Sequence, residues 1–193
     1  MMRTVRQIHA DSIAPTPWRN RGGQTRELLT RPEADPWQLR ISLADIDADG
    51  PFSAFPETQR WFGVVEGAGV VLSFADRHST VTPESPPLCF DGAEAPHCTL
   101  LNGPTRDLNL MLRRGSAQMV EVQPNHVWHE GFGERGLFTL CEGTLHAQGH
   151  ATLQVAARTL LWFLPSGPCR FDPRAPGRAG WWLAWSADAI RQE

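Results

Sequence analysis

The sequence predicts an all-β protein in two similar halves, each a small barrel-like sandwich, and three observations carry that prediction. Apolar residues recur with a period of two in many short segments, as strands with one buried face require. The 17 glycines and 16 prolines break those segments at the intervals that many short turns demand. An ordered set of residues also occurs twice along the chain.

Taken in order, Met1 to Asp11 carries Arg3, Arg6, His9 and Asp11 without an apolar run, so it does not read as a secretory signal. Gln38–Leu43 alternates Leu39, Ile41 and Leu43 against Gln38, Arg40 and Ser42, a half-buried strand. Trp61–Glu66 and Gly69–Phe74 flank Gly67 and read as a hairpin. Ser79–Thr82 and Leu88–Phe90 follow, separated by prolines. Arg106–Arg113 sets Leu108, Leu110 and Leu112 against Asp107, Asn109, Met111 and Arg113. Gln118–Val122, His126–His129, Leu137–Glu142, Thr144–Gln148, Ala151–Val155 and Thr159–Phe163 continue the strand series. Trp181–Ala187 closes it with Trp181, Leu183 and Trp185 on one face, and Ala187–Gln192 reads as a short terminal helix. Neither Asp11–Ile13 nor Leu28–Asp35 sustains a 3.6-residue period.

The repeat pairs Phe62-Gly-Val-Val-Glu-Gly67 with Phe138-Thr-Leu-Cys-Glu-Gly143. Arg60 precedes the first copy and Arg135 the second, and an apolar strand follows each. Pro87-Leu-Cys-Phe-Asp-Gly92 roughly echoes Leu161-Trp-Phe-Leu-Pro-Ser-Gly167. Two barrels result, because sandwiching hides each apolar face. The expected division is an N-terminal arm and first barrel over 1–115 and a second half over 116–193, with exchange of strands between the halves allowed.

Composition narrows the function. With 18 basic and 21 acidic side chains the net charge is −3, and no basic stripe marks a nucleic-acid binder. Lysine is absent, which reads as genome base composition, and tyrosine is absent beside eight tryptophans. Trp61–Phe74 and Thr159–Leu164, the most apolar stretches, are too short or too interrupted to span a membrane, so a cytoplasmic protein is expected. Cys89, Cys98, Cys141 and Cys169 form no C-x-x-C pair and read as free thiols. No glycine-rich loop leads from a strand into a helix, which removes nucleotide-binding α/β folds.

Three polar segments stand out. Trp18-Arg-Asn-Arg-Gly-Gly-Gln-Thr-Arg-Glu27 either runs past a ligand, with Asn20, Thr25 and Glu27 as polar contacts, or caps a barrel through Trp18. Gly50-Pro-Phe-Ser-Ala-Phe-Pro56, with Arg60 behind it, sets Phe52 and Phe55 around Ser53. That is either an aromatic mouth for an amphipathic ligand or turn chemistry plus core filling. The face of Asp107, Asn109, Met111 and Arg113 either lines a pocket, with Arg113 gripping a carboxylate through two parallel hydrogen bonds, or meets water.

Other chemistries lack their residues. His126 and His129, at i and i+3 on a strand, fall on opposite faces, and Glu130 adds only a carboxylate beside them. His97 and Cys98 lie far from them in sequence, and His146 and His150 bracket a turn. No metal and no cofactor is expected. Neither Ser53 nor Cys89 sits in a nucleophile motif. Asp45, Asp47 and Asp49 read as a solvated loop.

The three polar segments together resemble the HutD/Ves family, a bacterial set of cupin-like proteins, over most of the chain from about Pro17 onward. The resemblance implies a double cupin-like β-barrel, or bicupin, in a single chain. It also implies a link to histidine utilisation and a pocket for a small acidic catabolite such as formylglutamate. Carried onto this sequence, the implied ligand-binding residues are Trp18, Asn20, Thr25, Glu27, Phe52, Ser53, Arg60, Asp107, Asn109 and Arg113. The family arm reads Trp-Lys-Asn and three glycines; here Arg19 replaces the lysine and Arg21 the first glycine. The histidine–glutamate pattern of metal-binding cupins is missing.

The expected function is therefore binding of a small anionic metabolite, as a sensor or regulator of histidine degradation. The alternatives are a metal-independent isomerase or hydrolase of a similar acid, and a ligand-free protein-interaction module. Expected partners are a small acidic metabolite and, as an allowed assembly, a second copy in a homodimer; no nucleic acid and no membrane is expected.

Overall fold

The computed structural model describes residues 4–129 and 131–187. The strands are β1 (Arg6–His9), β2 (Thr16–Pro17), β3 (Gly23–Arg31), β4 (Leu39–Ile46), β5 (Gly50–Pro51) and β6 (Gln59–Glu66). They continue as β7 (Val70–Ser73), β8 (His78–Val81), β9 (Leu88–Asp91), β10 (His97–Leu100), β11 (Thr105–Leu112) and β12 (Ser116–Glu121). The series ends with β13 (Glu134–Thr139), β14 (Gly143–Ala147), β15 (Leu153–Val155), β16 (Thr159–Trp162), β17 (Cys169–Pro173) and β18 (Gly180–Ser186). Among the described residues only two short 3-10 turns interrupt them, and no helix there is long and apolar enough to cross a membrane. The helix expected at Ala187–Gln192 lies outside the described residues, apart from Ala187.

The chain divides into two compact units. Ile13–Arg114 forms the first barrel, and the described residues of 4–12 and 115–187 form the second. The segment 4–12 thus leaves the expected N-terminal half: β1 pairs antiparallel with β16 along Arg6–His9. The first barrel joins a six-stranded sheet, β2-β3-β4-β11-β6-β9, to a four-stranded sheet, β5-β10-β7-β8. The second joins β1-β16-β13-β18-β12 to β15-β14-β17. The neighbours of β6 are β11 and β9, and those of β13 are β18 and β16, so the repeated segments lie on interior strands with equivalent neighbours.

The Glu-Gly turns are not hairpins, contrary to the expectation. β6 lies in one sheet of its barrel and β7 in the other, and β13 and β14 divide in the same way. The chain turns a corner between sheets at each turn, and the glycine is there because nothing larger fits. A Cβ at Gly67 (φ 93°) would stand 2.5 Å from the Pro104 carbonyl, and one at Gly143 would stand 2.5 Å from the Asp172 carbonyl.

Each barrel has its own core. Between the sheets of the first lie Ile46, Phe62, Val64, Val70, Leu72, Phe74, Val81, Phe90 and Cys98. Phe62 is fully buried, which is worth about 2–3 kcal/mol relative to leaving it in water. The second is filled by Leu137, Leu145, Leu161, Phe171, Trp128 and Trp182 among others, the last two rings stacked at 4.9 Å. Segment His126–His129 is no strand; only Trp128 bridges to Cys169. Asp45 is not in a solvated loop but inside β4, 9% exposed, because Arg26 and Arg106 on the flanking strands β3 and β11 pair with it. Burial alone would raise its pKa; hydrogen bonds from Arg106, Arg26 and Gln24 outweigh burial and bring it to about 2.

Candidate ligand-binding cavity

Strand pairing builds a cavity inside the first barrel. Across β3, β4, β11 and β6, Thr25, Ala44, Asp107 and Val64 stand in one cross-strand row. Glu27, Ser42, Asn109 and Phe62 form the next, and Arg40, Met111 and Arg60 on β4, β11 and β6 a third. Successive rows on one face of a pleated sheet are two residues apart, so all three point the same way. The intervening residues on β4 and β11, including Ile41, Leu43, Leu108 and Leu110, are fully buried on the opposite face. The polar rows face a cavity of about 880 Å³, closed on other sides by the arm Thr16–Asn20 and by Pro51, Phe52, Ser53 and Phe55.

Arg60 lies at the centre of the arrangement. It is 6% exposed, and its guanidinium lies 5.2, 5.7 and 5.1 Å from the ring centres of Phe52, Phe55 and Phe90. Its Nη2 donates to Asn109 Oδ1 at 2.8 Å, while Nε is buried with no hydrogen-bond partner. Burial lowers its pKa to about 10, Asp107 opposing that shift and Arg40 adding to it. Asn109 Nδ2 donates in turn to Asp107 Oδ2. Asp107 is 1% exposed, and burial raises its pKa to about 8 although Arg60 works against the rise. On the wall, Arg40 Nε pairs with Glu27 at 3.0 Å.

The arm is positioned from within. Trp18 Nε1 donates to Thr25 Oγ1 at 2.7 Å, and the Trp18 ring meets Phe52 edge-on at 6.5 Å. Asn20 Oδ1 accepts from the Gly22 N–H at 3.0 Å and closes the loop. At Gly23 a Cβ would stand 2.2 Å from the Asp45 carbonyl, so the arm passes close to β4 only with glycine there. Arg19 lines the cavity; Arg21 is exposed and takes the left-handed conformation, φ 58°. That conformation is what a glycine would supply at this position.

Nine of the ten residues singled out from sequence line this one cavity: Trp18, Asn20, Thr25, Glu27, Phe52, Ser53, Arg60, Asp107 and Asn109. Arg113 does not. β11 ends at Leu112, the Arg113 N–H turns to the Gln38 carbonyl, and the exposed guanidinium lies 3.9 Å above the Trp37 ring. Met111 lines the cavity as its place on the polar face of β11 predicts, whereas sequence reasoning missed Arg40 and Ser42. The signal for both was present, since they alternate with the leucine and isoleucine of β4 as Asp107 and Asn109 alternate with the leucines of β11. Among the described residues no three His, Cys, Asp or Glu side chains converge as metal ligands.

The HutD family model matches residues 10–179 of the chain. Protein Ves of Citrobacter koseri is 33% identical over 121 residues, 62% of this chain and 63% of that protein. An uncharacterized 21.2 kDa protein in the hutC 3' region of Pseudomonas putida is 34% identical over 113 residues, 57% of this chain and 59% of that protein. The chain therefore spans less than two thirds of the length of either curated relative. Among solved structures, HutD from Pseudomonas fluorescens SBW25 superposes with a TM-score of 0.81 at 23% identity, covering 95% of this chain and 98% of that one. Oxalate decarboxylase of Bacillus subtilis reaches 0.59 at 10% identity, over 95% and 78% of the two chains. The fold is the double cupin-like β-barrel.

Proposed function

The chain belongs to the HutD family, and on that premise we propose that its first barrel binds a small anionic metabolite whose carboxylate sits on Arg60. One observation carries this reading: a guanidinium almost wholly withdrawn from water, with a buried donor unpartnered, at the wall of a cavity large enough for a metabolite. Burying a cation without a carboxylate is costly, and a ligand anion offsets that cost on binding. Arg40 and Arg19, lining the same cavity, favour a ligand with a second acidic group. The relative encoded in the hutC 3' region supports placing the ligand in histidine utilisation, as an N-formylglutamate-like acid sensed by the protein.

Thermal melting against glutarate, glutamate and N-formylglutamate is the first test, with a saturable rise in melting temperature expected for a dicarboxylate. Arg60→Lys keeps the charge but loses the paired donors. Calorimetric affinity of the folded variant is expected to fall by about 1–3 kcal/mol, roughly 5- to 150-fold in Kd. An unchanged Kd would remove Arg60 from the site.

A further inference from the structure

Asp107 is a carboxyl group that the reading above leaves without a task. It is 1% exposed, shares the cavity wall with Arg60, and receives one hydrogen bond, from Asn109. Arg60 donates to Asn109 rather than to Asp107, so the amide stands between cation and acid. Resting on the carboxylate reading of this cavity, we propose that the site takes its anion together with one proton, held on Asp107, because the ligand carboxylate and a charged Asp107 compete for the same guanidinium.

Arg60 is the cation that acts on Asp107, while Arg19 of the arm and Arg40 line the same cavity. From β6 comes Arg60; from β4 come Arg40, paired with Glu27 of β3, and Asp45, paired with Arg26 and Arg106. From β10 comes Cys98, whose thiol burial and the charges of Asp107 and Asp49 push up to about 12, so it is neutral. Asp45 raises the proton affinity of Asp107 and Arg60 lowers it. An anion on Arg60 cancels the lowering influence and adds a second negative charge beside a buried carboxylate. An Asp107 that is still ionised then takes a proton from solvent, and its O–H becomes a donor toward the anion. The neutral acid and the ligand carboxylate share the wall where two carboxylates would repel.

With the free-protein pKa of Asp107 at about 8, the linkage has a defined window. At pH 8 about half a proton enters per ligand, and from pH 7 to pH 9 affinity falls about tenfold. Arg60, at about 10, titrates above this window. The experiment is calorimetric titration of the full chain with N-formylglutamate and with glutarate, whose carboxyls titrate well below pH 7. Kd is read at pH 7, 8 and 9, and the buffer comparison is made at pH 8 between HEPES and Tris, which both buffer there and whose ionisation heats differ. Buffer-dependent heat corresponding to proton uptake, with Kd rising toward pH 9, is expected for the natural chain. Asp107→Asn is expected to lose both the buffer dependence and the pH dependence, whatever its absolute Kd. Binding with equal heats in both buffers and a flat Kd overturns the proton linkage and leaves the carboxylate site standing. Absence of binding by either acid overturns the site and the linkage together. If Asp107→Asn does not fold, the buffer comparison on the natural chain still decides.

Discussion

Arg60 and Arg113 show what a single residue's environment does to one side-chain type. Arg60 sits behind three aromatic rings with one amide acceptor, while Arg113 lies in water over Trp37. Both were legible as candidates, but the alternation that assigned Arg113 to the polar face holds only while the strand lasts. β11 stops one residue short, where Arg113 bonds to Gln38. Arg21 carries a different cost. A non-glycine residue held at φ 58° is strained by about 1 kcal/mol, and Arg21 makes no contact with the cavity. Arg21→Gly is expected to raise stability by up to about 0.5 kcal/mol in urea denaturation, because the freer unfolded chain offsets part of the relief. A loss of stability would show that the arginine side chain holds the arm in place.

At the scale of elements, legibility followed burial on one face. β4 and β11 were readable because leucine and isoleucine fill one side without a break. β3 was not, because the cavity takes its polar side and a bulge between Glu27 and Leu29 puts Leu28 and Leu29 in succession, both buried. β10 is only four residues long, and β17 hides its alternation of Cys169 and Phe171 between prolines. The repeated Glu-Gly pair was visible, but its glycine fits a hairpin and a corner between sheets equally well. The corner makes its own prediction. At Gly143 an added methyl meets both the Asp172 carbonyl and the Phe171 ring at 2.5 Å. Gly143→Ala is therefore expected to cost about 1–3 kcal/mol, read as a lower urea midpoint with unchanged slope. A midpoint equal to the natural protein's would mean that the corner yields easily.

For the whole molecule, the sequence disclosed a duplication and the structure shows what became of each copy. Arg60, second in β6, and Arg135, second in β13, both turn into their own barrels, although the repeat that aligns Phe62 with Phe138 sets them two and three residues ahead of it. Arg60 borders open space. Arg135, 3% exposed, donates to the Gly167 carbonyl at 2.7 Å, reaches Cys169 Sγ at 3.1 Å and lies 4.6 Å from the Trp128 ring. The second barrel thus fills with its own backbone and Trp128 the space around an arginine that the first barrel leaves open. No pattern in the sequence marks that difference, because Trp128 arrives from a loop and is fixed by one bridge to Cys169. The arrangement predicts one ligand per chain. Trp128→Ala removes a ring stacked on Trp182 from a closed core, and a loss of about 3–5 kcal/mol in urea denaturation is expected. Titrated cold, where it is folded, the variant should still bind one N-formylglutamate per chain with the natural Kd, because the lost ring belongs to a different core from the cavity. A second equivalent of ligand in that titration would contradict the one-ligand prediction for the variant and identify Trp128 as the plug of a second anion site built on Arg135.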